Sequence, residues 1–150
     1  MLPVFDPQDS SCKTPFGAVP CGTAVTFTLR DETYYACELL VRREFSGTGE
    51  AVPLPPAEGG FSGVYTAPEA PELCWYGFRF TRGDGSTVCL GKNGWCGQDA
   101  LARWQLTVYE DTPTPAWFGE GVTYQIFPDR FRRTSVPDVA GMVGRRWVHD

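Results

Sequence analysis

The chain has 150 residues, is 42% hydrophobic and carries a formal net charge of -5. This length predicts one domain with a sizeable core, and the acidic balance excludes the basic field that gathers nucleic acids or anionic membranes. No apolar run reaches the ~20 residues that span a bilayer. We therefore expect neither a nucleic acid nor a membrane as partner.

The pattern of the first part of the chain predicts a sheet with one solvent-exposed face. Residues 2–22 are rich in proline and polar turn formers, which favours an irregular lead-in over a sheet edge. Residues 24–30 and 35–43 alternate apolar and polar side chains, the period of two that is typical of half-buried strands. In the second strand four side chains are predicted to face inward: Tyr35, Cys37, Leu39 and Val41.

The middle of the chain predicts a loop, a short strand and a hairpin. Residues 46–60 contain three prolines and are interpreted as a loop, and residues 61–66 as a short strand. Residues 73–81 are predicted to form a strand, joined to residues 86–90 through Asp84-Gly85, a pair that readily forms tight turns. Three aromatic residues of this strand are predicted to face inward, Tyr76, Phe78 and Phe80, with Trp75 on the other face.

A glycine-rich loop is expected at residues 91–97, and alternation returns at residues 103–109 with Trp104, Leu106 and Val108 inward. About six short strands with regular turn signals and no helical period predict an all-β fold, an immunoglobulin-like β-sandwich. The sandwich domain is assigned to residues 1–111.

Six cysteines can form three disulfides in an oxidising compartment, but their spacing contains no C-x-x-C pair of the kind that zinc sites use. Cys37 and Cys74 lie within predicted strands, which favours reduced, buried thiols and a cytoplasmic location. Cys12 and Cys21 lie in turn-rich sequence and can be bridged. Secretion stays open in case a signal peptide has been removed.

The composition changes after residue 111. Residues 112–120 contain Pro113 and Pro115 and predict a stiff linker, because each proline fixes its own backbone and disfavours helix before it. A new unit is assigned to residues 121–150. Its apolar run at residues 122–127 predicts a strand closed by Pro128.

The run at residues 117–131, which reads WFGEGVTYQIFPDRF, resembles the start of the catalytic barrel of the α-amylase family, glycoside hydrolase family 13. It is most similar to the neopullulanase, cyclomaltodextrinase and maltogenic amylase branch, where YQIFPDRF forms the first barrel strand and the loop leaving it. The upstream region, which ends in WQLTVY and the proline-rich linker, is more weakly similar to the starch-binding-like N-terminal domain of that branch. The resemblance implies a sandwich followed by the truncated start of a (β/α)8 barrel.

The resemblance also implies a parent enzyme that hydrolyses α-1,4 or α-1,6 glucosidic bonds with retention, through an aspartate nucleophile and a glutamic acid on later barrel strands. Because a barrel needs eight strands and this chain holds one, we expect no catalytic residue here. The implied partners are α-glucans such as maltooligosaccharide, pullulan or cyclodextrin, the chain's own catalytic barrel, and a second copy in a homodimer. No cofactor or metal site is expected, since Arg132 and Arg133 stand where relatives carry calcium ligands.

Four residues are candidates for carbohydrate binding, which uses exposed rings flanked by amide and charged groups. Trp95 lies in the glycine-rich loop beside Lys92 and Asn93, and its alternative role is a plug over an open sandwich end. Trp75 is either a second sugar platform or, in the interpretation we favour, a contact with the catalytic domain.

The leading hypothesis is thus an accessory N-terminal domain of a glycoside hydrolase that degrades starch, pullulan or maltooligosaccharides, in which the sandwich supports substrate binding and domain or subunit packing. A stand-alone α-glucan-binding module and an immunoglobulin-like protein-interaction domain are the alternatives. We also expect residues 122–127 to be poorly supported in a truncated chain, or to borrow a sheet edge.

Overall fold

The computed structural model describes residues 4–113, 115–122 and 124–125. The chain divides into two compact units, of which the first ends at Thr112 and the second begins at Pro113. Among the residues described, no helix is long and apolar enough to cross a membrane. The described strands are, in chain order, β1 (Lys13–Thr14), β2 (Val19–Pro20), β3 (Ala24–Leu29), β4 (Ala36–Arg43), β5 (Gly49–Leu54), β6 (Pro56–Ala57), β7 (Gly60–Thr66), β8 (Glu72–Thr81), β9 (Thr87–Gly91), β10 (Gly94–Cys96) and β11 (Trp104–Tyr109).

The first unit is built from two sheets. The smaller sheet has the order β1-β3-β7-β6, and all of its pairs are antiparallel. In the larger sheet β8 is the central strand: β4 covers one of its edges, while β11 and β9 share the other. β5 extends this sheet beyond β4, β10 beyond β9, and β2 runs parallel to β11. This arrangement confirms the predicted all-β sandwich.

The core lies between the two sheets and is mainly aromatic. Phe27 of the smaller sheet meets Tyr76 of β8 with ring centroids 5.1 Å apart, and Phe5 meets Phe78 at 4.7 Å. The predicted inward faces of β3 and β8 are confirmed, since Phe27, Tyr76 and Phe78 are all at most 2% exposed. Because each such ring contributes about 1.5–3 kcal/mol when it is buried, this cluster is a main source of the stability of the sandwich.

Three predictions about the early and middle chain were wrong. The supposed loop at residues 46–60 contains β5 and β6, because Pro53 is tolerated on an edge strand such as β5. The supposed loop at residues 91–97 contains β10. The lead-in is also less irregular than expected, since it contributes β1 and β2 and places Phe5 in the core.

The inward position predicted for Tyr35 was also wrong, because its side chain is 77% exposed. The chain bends at residues 33–35, so the alternation of β4 begins only at Ala36. Tyr34 packs inward instead, with its ring centroid 4.8 Å from that of Phe80.

In the second unit, Ala116–Gly119 form a short 3₁₀ turn. Of the predicted barrel strand at residues 122–127, the structure describes Val122, Tyr124 and Gln125, and none of these three lies in a strand. Val122 is 95% exposed and Tyr124 82% exposed. Residues 123 and 126–150 lie outside the described residues, so the truncated barrel stays a prediction.

Candidate functional site

Trp95 lies on β10, one of the edge strands of the larger sheet. It is in register with Leu90 of β9, which is in register with Phe78 of β8, and residues opposite one another in a sheet share a face. Trp95 therefore lies on the same face as the core residue Phe78, but beyond the covered part of the sheet. Its side chain remains 43% exposed.

Two aromatic neighbours hold the Trp95 ring. The ring stacks on Tyr34, with centroids 5.4 Å apart and planes 28° apart, and meets Phe80 edge-on at 5.1 Å. The guanidinium carbon of Arg82 lies 5.9 Å from the centroid of the Tyr34 ring, within the range of a cation–π contact. Trp95 thus covers one end of the core, and part of its ring stays exposed to solvent.

A groove adjoins this ring cluster through Tyr34. It has a volume of about 240 Å³, and the side chains that line it include Tyr34, Tyr35, Glu32 and Glu58. Tyr35, Glu32 and Glu58 are exposed. Trp95 is not among the residues that line the groove and is joined to it through Tyr34. We call Tyr34, Tyr35, Trp95, Glu32 and Glu58 together the aromatic end. It combines ring faces with carboxylate acceptors, a combination suited to a ligand that has both C–H and O–H groups.

Lys92 and Asn93 occupy the turn between β9 and β10, and both side chains are exposed. Gly94, which follows them, has φ +94°, a backbone conformation that favours glycine. The backbone N–H of Lys92 donates to the carbonyl oxygen of Ala102 at 2.8 Å. Both residues therefore shape the hairpin that carries Trp95, and no polar side-chain contact between them and the aromatic end is seen in the described residues.

Trp75 lies on the opposite, outer face of the larger sheet. It is in register with Arg42 of β4 and Gln105 of β11 and is only partly exposed. A cleft of about 220 Å³ at this point is lined by Trp75 together with Arg42, Glu44, Leu101 and Arg103. We call it the Trp75 cleft. The two candidate tryptophans are thus on opposite faces and cannot belong to one surface.

Residues 97–103 cross the outer face of the sheet and form one wall of the Trp75 cleft. We call them the crossing segment. Leu101 of this segment is buried, and a Cβ atom on Gly77 of β8 would lie 3.0 Å from the Leu101 Cδ atoms. A Cβ atom on Gly91 would lie only 2.1 Å from the carbonyl oxygen of Ala102. Glycine at these two positions is what lets the segment approach the sheet and place Arg103 in the cleft.

The charges of the Trp75 cleft differ from those of the aromatic end. Arg42 and Arg103 form no ion pair with the described residues, and the buried Nε of Arg103 has no hydrogen-bond partner there. Arg79, on the same outer face, is held by Glu38 at 2.7 Å. The cleft therefore presents two guanidinium groups beside the one carboxylate of Glu44, whereas the aromatic end presents two carboxylates.

Glu72 is a buried carboxylate with a structural role. Burial opposes its ionisation, but backbone N–H groups of Phe45, Leu73 and Ser46 donate to it at 2.8, 3.0 and 3.2 Å, and the pKa of Glu72 is lowered as a result. Elsewhere in the described part of the chain, no group of three or more His, Cys, Asp or Glu side chains is placed to hold a metal ion.

The sequence singled out Trp95 and Trp75, and their sugar and contact roles stay predictions. It gave no binding role to the residues that the structure places beside them, Tyr34, Glu32, Glu58, Arg42 and Arg103. The Tyr34-Tyr35 pair directly before a strand was an available signal, because one of two adjacent rings must face away from the core. The arginines carried no such signal, since a charged residue on the wet face of a strand is ordinary.

No family model matches the chain. The amylopullulanase of Thermoanaerobacter thermohydrosulfuricus is 28% identical to it over 142 residues, which cover 84% of this chain and 10% of that protein. The chain thus spans about a tenth of the length of this relative. Because 84% of the chain exceeds the share held by the first unit, which ends at Thr112, the similarity includes residues from both units.

Proposed function

We propose that the chain is an accessory N-terminal domain, with the start of the following barrel, of a glycoside hydrolase of the α-amylase family that degrades starch, pullulan or maltooligosaccharides. The observation that carries this proposal is the similarity to an amylopullulanase across both units of the chain. The resemblance of residues 117–131 to the first barrel strand of the neopullulanase branch agrees with it. The parent enzyme would cleave α-glucosidic bonds with retention, and no residue of this chain is assigned a catalytic role.

The aromatic end is the site we assign to α-glucan binding. A glucose ring offers apolar C–H faces to aromatic rings and hydroxyl groups to acceptors, and Trp95, Tyr35 and the two carboxylates supply both. Because Tyr34 and Phe80 already hold the Trp95 ring, little side-chain freedom is lost when a sugar binds. Maltooligosaccharide, pullulan and cyclodextrin are the expected ligands.

The Trp75 cleft is assigned to the second part of the function, which is contact with another protein surface. Its tryptophan is less exposed than Trp95 and is surrounded by guanidinium donors, a composition typical of the buried centre of an interface. The parent's catalytic barrel and a second copy of the chain are the candidate partners.

Isothermal titration calorimetry with maltoheptaose and with β-cyclodextrin tests the glucan assignment. The wild-type chain should bind saturably at millimolar sugar or below. Trp95→Ala should weaken binding by about tenfold or more, which corresponds to about 1.4 kcal/mol, the scale expected when one stacking ring is lost. Trp75→Ala is the matched control and should leave the affinity unchanged.

The result also separates the alternatives. If the wild-type chain binds neither sugar, or if Trp75→Ala abolishes binding while Trp95→Ala does not, the aromatic end is not a glucan site. A chain that binds neither sugar but self-associates through the Trp75 cleft would instead be a protein-interaction domain.

A further inference from the structure

Cys89 and Cys96 lie directly opposite one another on adjacent antiparallel strands. Their Cα atoms are register partners in the β9–β10 hairpin. Opposite residues in an antiparallel pair have Cα atoms about 4.5–5.5 Å apart, within the roughly 4.4–6.8 Å range that disulfides occupy. Because side chains of opposite residues also project to the same face, the two thiols face the same side of the sheet.

The remaining cysteines have no such partner. Cys37 is in register with Leu54 and Phe80, and Cys74 with Leu106 and Arg43. Cys12 and Cys21 lie outside the described strands. Among the six cysteines, therefore, one pair is aligned across two strands.

The two aligned thiols differ in access. Cys89 is 1% exposed and is in register with Arg79, which places it on the outer face of the sheet. Cys96 is partly exposed. Burial raises the pKa of the Cys89 thiol, and the neighbouring Cys96 adds to the rise. The accessible Cys96 is thus the sulfur that an oxidant meets first, and Cys89 is the one placed to resolve the intermediate.

We propose that Cys89 and Cys96 are a redox modification site that closes to a disulfide on reaction with a small-molecule disulfide. The Cys96 thiolate attacks one sulfur of the oxidant, breaking its S–S bond, forming a mixed disulfide and releasing one thiolate. The Cys89 thiolate then attacks the Cys96 sulfur, forms the protein disulfide and releases the second thiolate. The two cysteines are oxidised, the oxidant is reduced to two thiols, and the two protons of the protein thiols go to the released thiolates.

The bond would fix the point at which the chain leaves the sheet. Cys96 is the last residue of β10, and the crossing segment starts at the next residue. Closing the link ties that point to β9 and encloses the turn that carries Lys92 and Asn93. The inference rests on strand register and on the exposure of the two thiols, and it is independent of the glucan assignment.

Peptide mapping tests the proposal sharply, because each of the six cysteines falls on a different tryptic peptide. The full chain is equilibrated with oxidised glutathione, its free thiols are alkylated under denaturing conditions, and it is digested without reduction. Peptides 83–92 and 93–103 should be recovered joined, with a mass about 2 Da below their sum, and should separate on reduction.

Cys96→Ser should abolish the link, while Cys21→Ser, which alters another partly exposed cysteine, should leave it intact. Oxidation should also raise the midpoint of chemical denaturation of the wild-type chain and not that of Cys96→Ser. Recovery of peptides 1–13 and 14–30 joined instead, or of Cys96 held as a stable glutathione adduct with Cys89 free, would overturn the proposal.

Discussion

Replacing Gly91 by alanine should detach the crossing segment from the sheet. The new Cβ would lie 2.1 Å from the carbonyl oxygen of Ala102 and 2.8 Å from a Cδ atom of Leu101. The first contact is with backbone, so a side-chain rotation cannot relieve it. The backbone of Ala102 must move away, and its hydrogen bond from the N–H of Lys92 is weakened or lost.

The expected loss of stability in Gly91→Ala has two contributions. Overpacking typically costs about 1–3 kcal/mol, and loss of the hydrogen bond adds about 1 kcal/mol. We expect Gly91→Ala to lower the free energy of unfolding by about 2–4 kcal/mol. For a domain of this size, the melting temperature should fall by roughly 10 °C or more.

Gly97→Ala is the matched control, because it lies at the start of the same segment, has φ -72° and would place its Cβ in open space. Its stability should equal that of the wild-type chain or exceed it slightly. Urea denaturation followed by tryptophan fluorescence measures both variants. Equal stability of Gly91→Ala and Gly97→Ala would refute the close approach of the crossing segment to β9.

Two further predictions concern carboxylates. Hydrogen bonds from Ser11 and from Arg30, the latter at 2.6 Å, lower the pKa of Asp9 to about 2. The stabilising effect of the Asp9 carboxylate is therefore fully present above about pH 4 and is lost as the pH falls through about 2. Urea unfolding across this range should show a smaller acid-induced loss for Asp9→Asn, and an identical loss in both proteins would contradict the assignment. Glu72→Gln should lower the free energy of unfolding by about 1–3 kcal/mol, because its amide places a donor where the carboxylate accepted from backbone N–H groups. The control Glu110→Gln, at an exposed position, should be nearly neutral. Equal unfolding midpoints for these two variants would show that the Glu72 carboxylate is not needed for stability.

The regular strands could be predicted because their side chains alternate without interruption. The run from Leu73 to Thr81 places Tyr76, Phe78 and Phe80 on one face, and the structure confirms that face as the core. The prediction failed where backbone geometry interrupts the pattern. The bend before β4 turns Tyr35 outward, and the edge position of β5 accommodates a proline that reads as a loop signal.

The candidate site was predictable only residue by residue. The sequence indicated that Trp75 faces away from the core and that Trp95 lies in polar surroundings, but which face Trp95 shares depends on its register with Leu90 and Phe78. The same holds for the cysteines, since the opposition of Cys89 and Cys96 appears only once the hairpin is paired. Strand register is not encoded in local alternation, which is why these relations required the structure.

The most direct test of the glucan assignment is nuclear magnetic resonance of the indole N–H groups during titration with maltoheptaose. The chain has five tryptophans, and single Trp→Phe variants assign their five indole signals. The proposed function predicts that the Trp95 indole signal shifts saturably with sugar while the Trp75 signal stays in place, because the two rings lie on opposite faces of the sheet. A saturable shift at Trp75 with none at Trp95, or no shift at either, would contradict it.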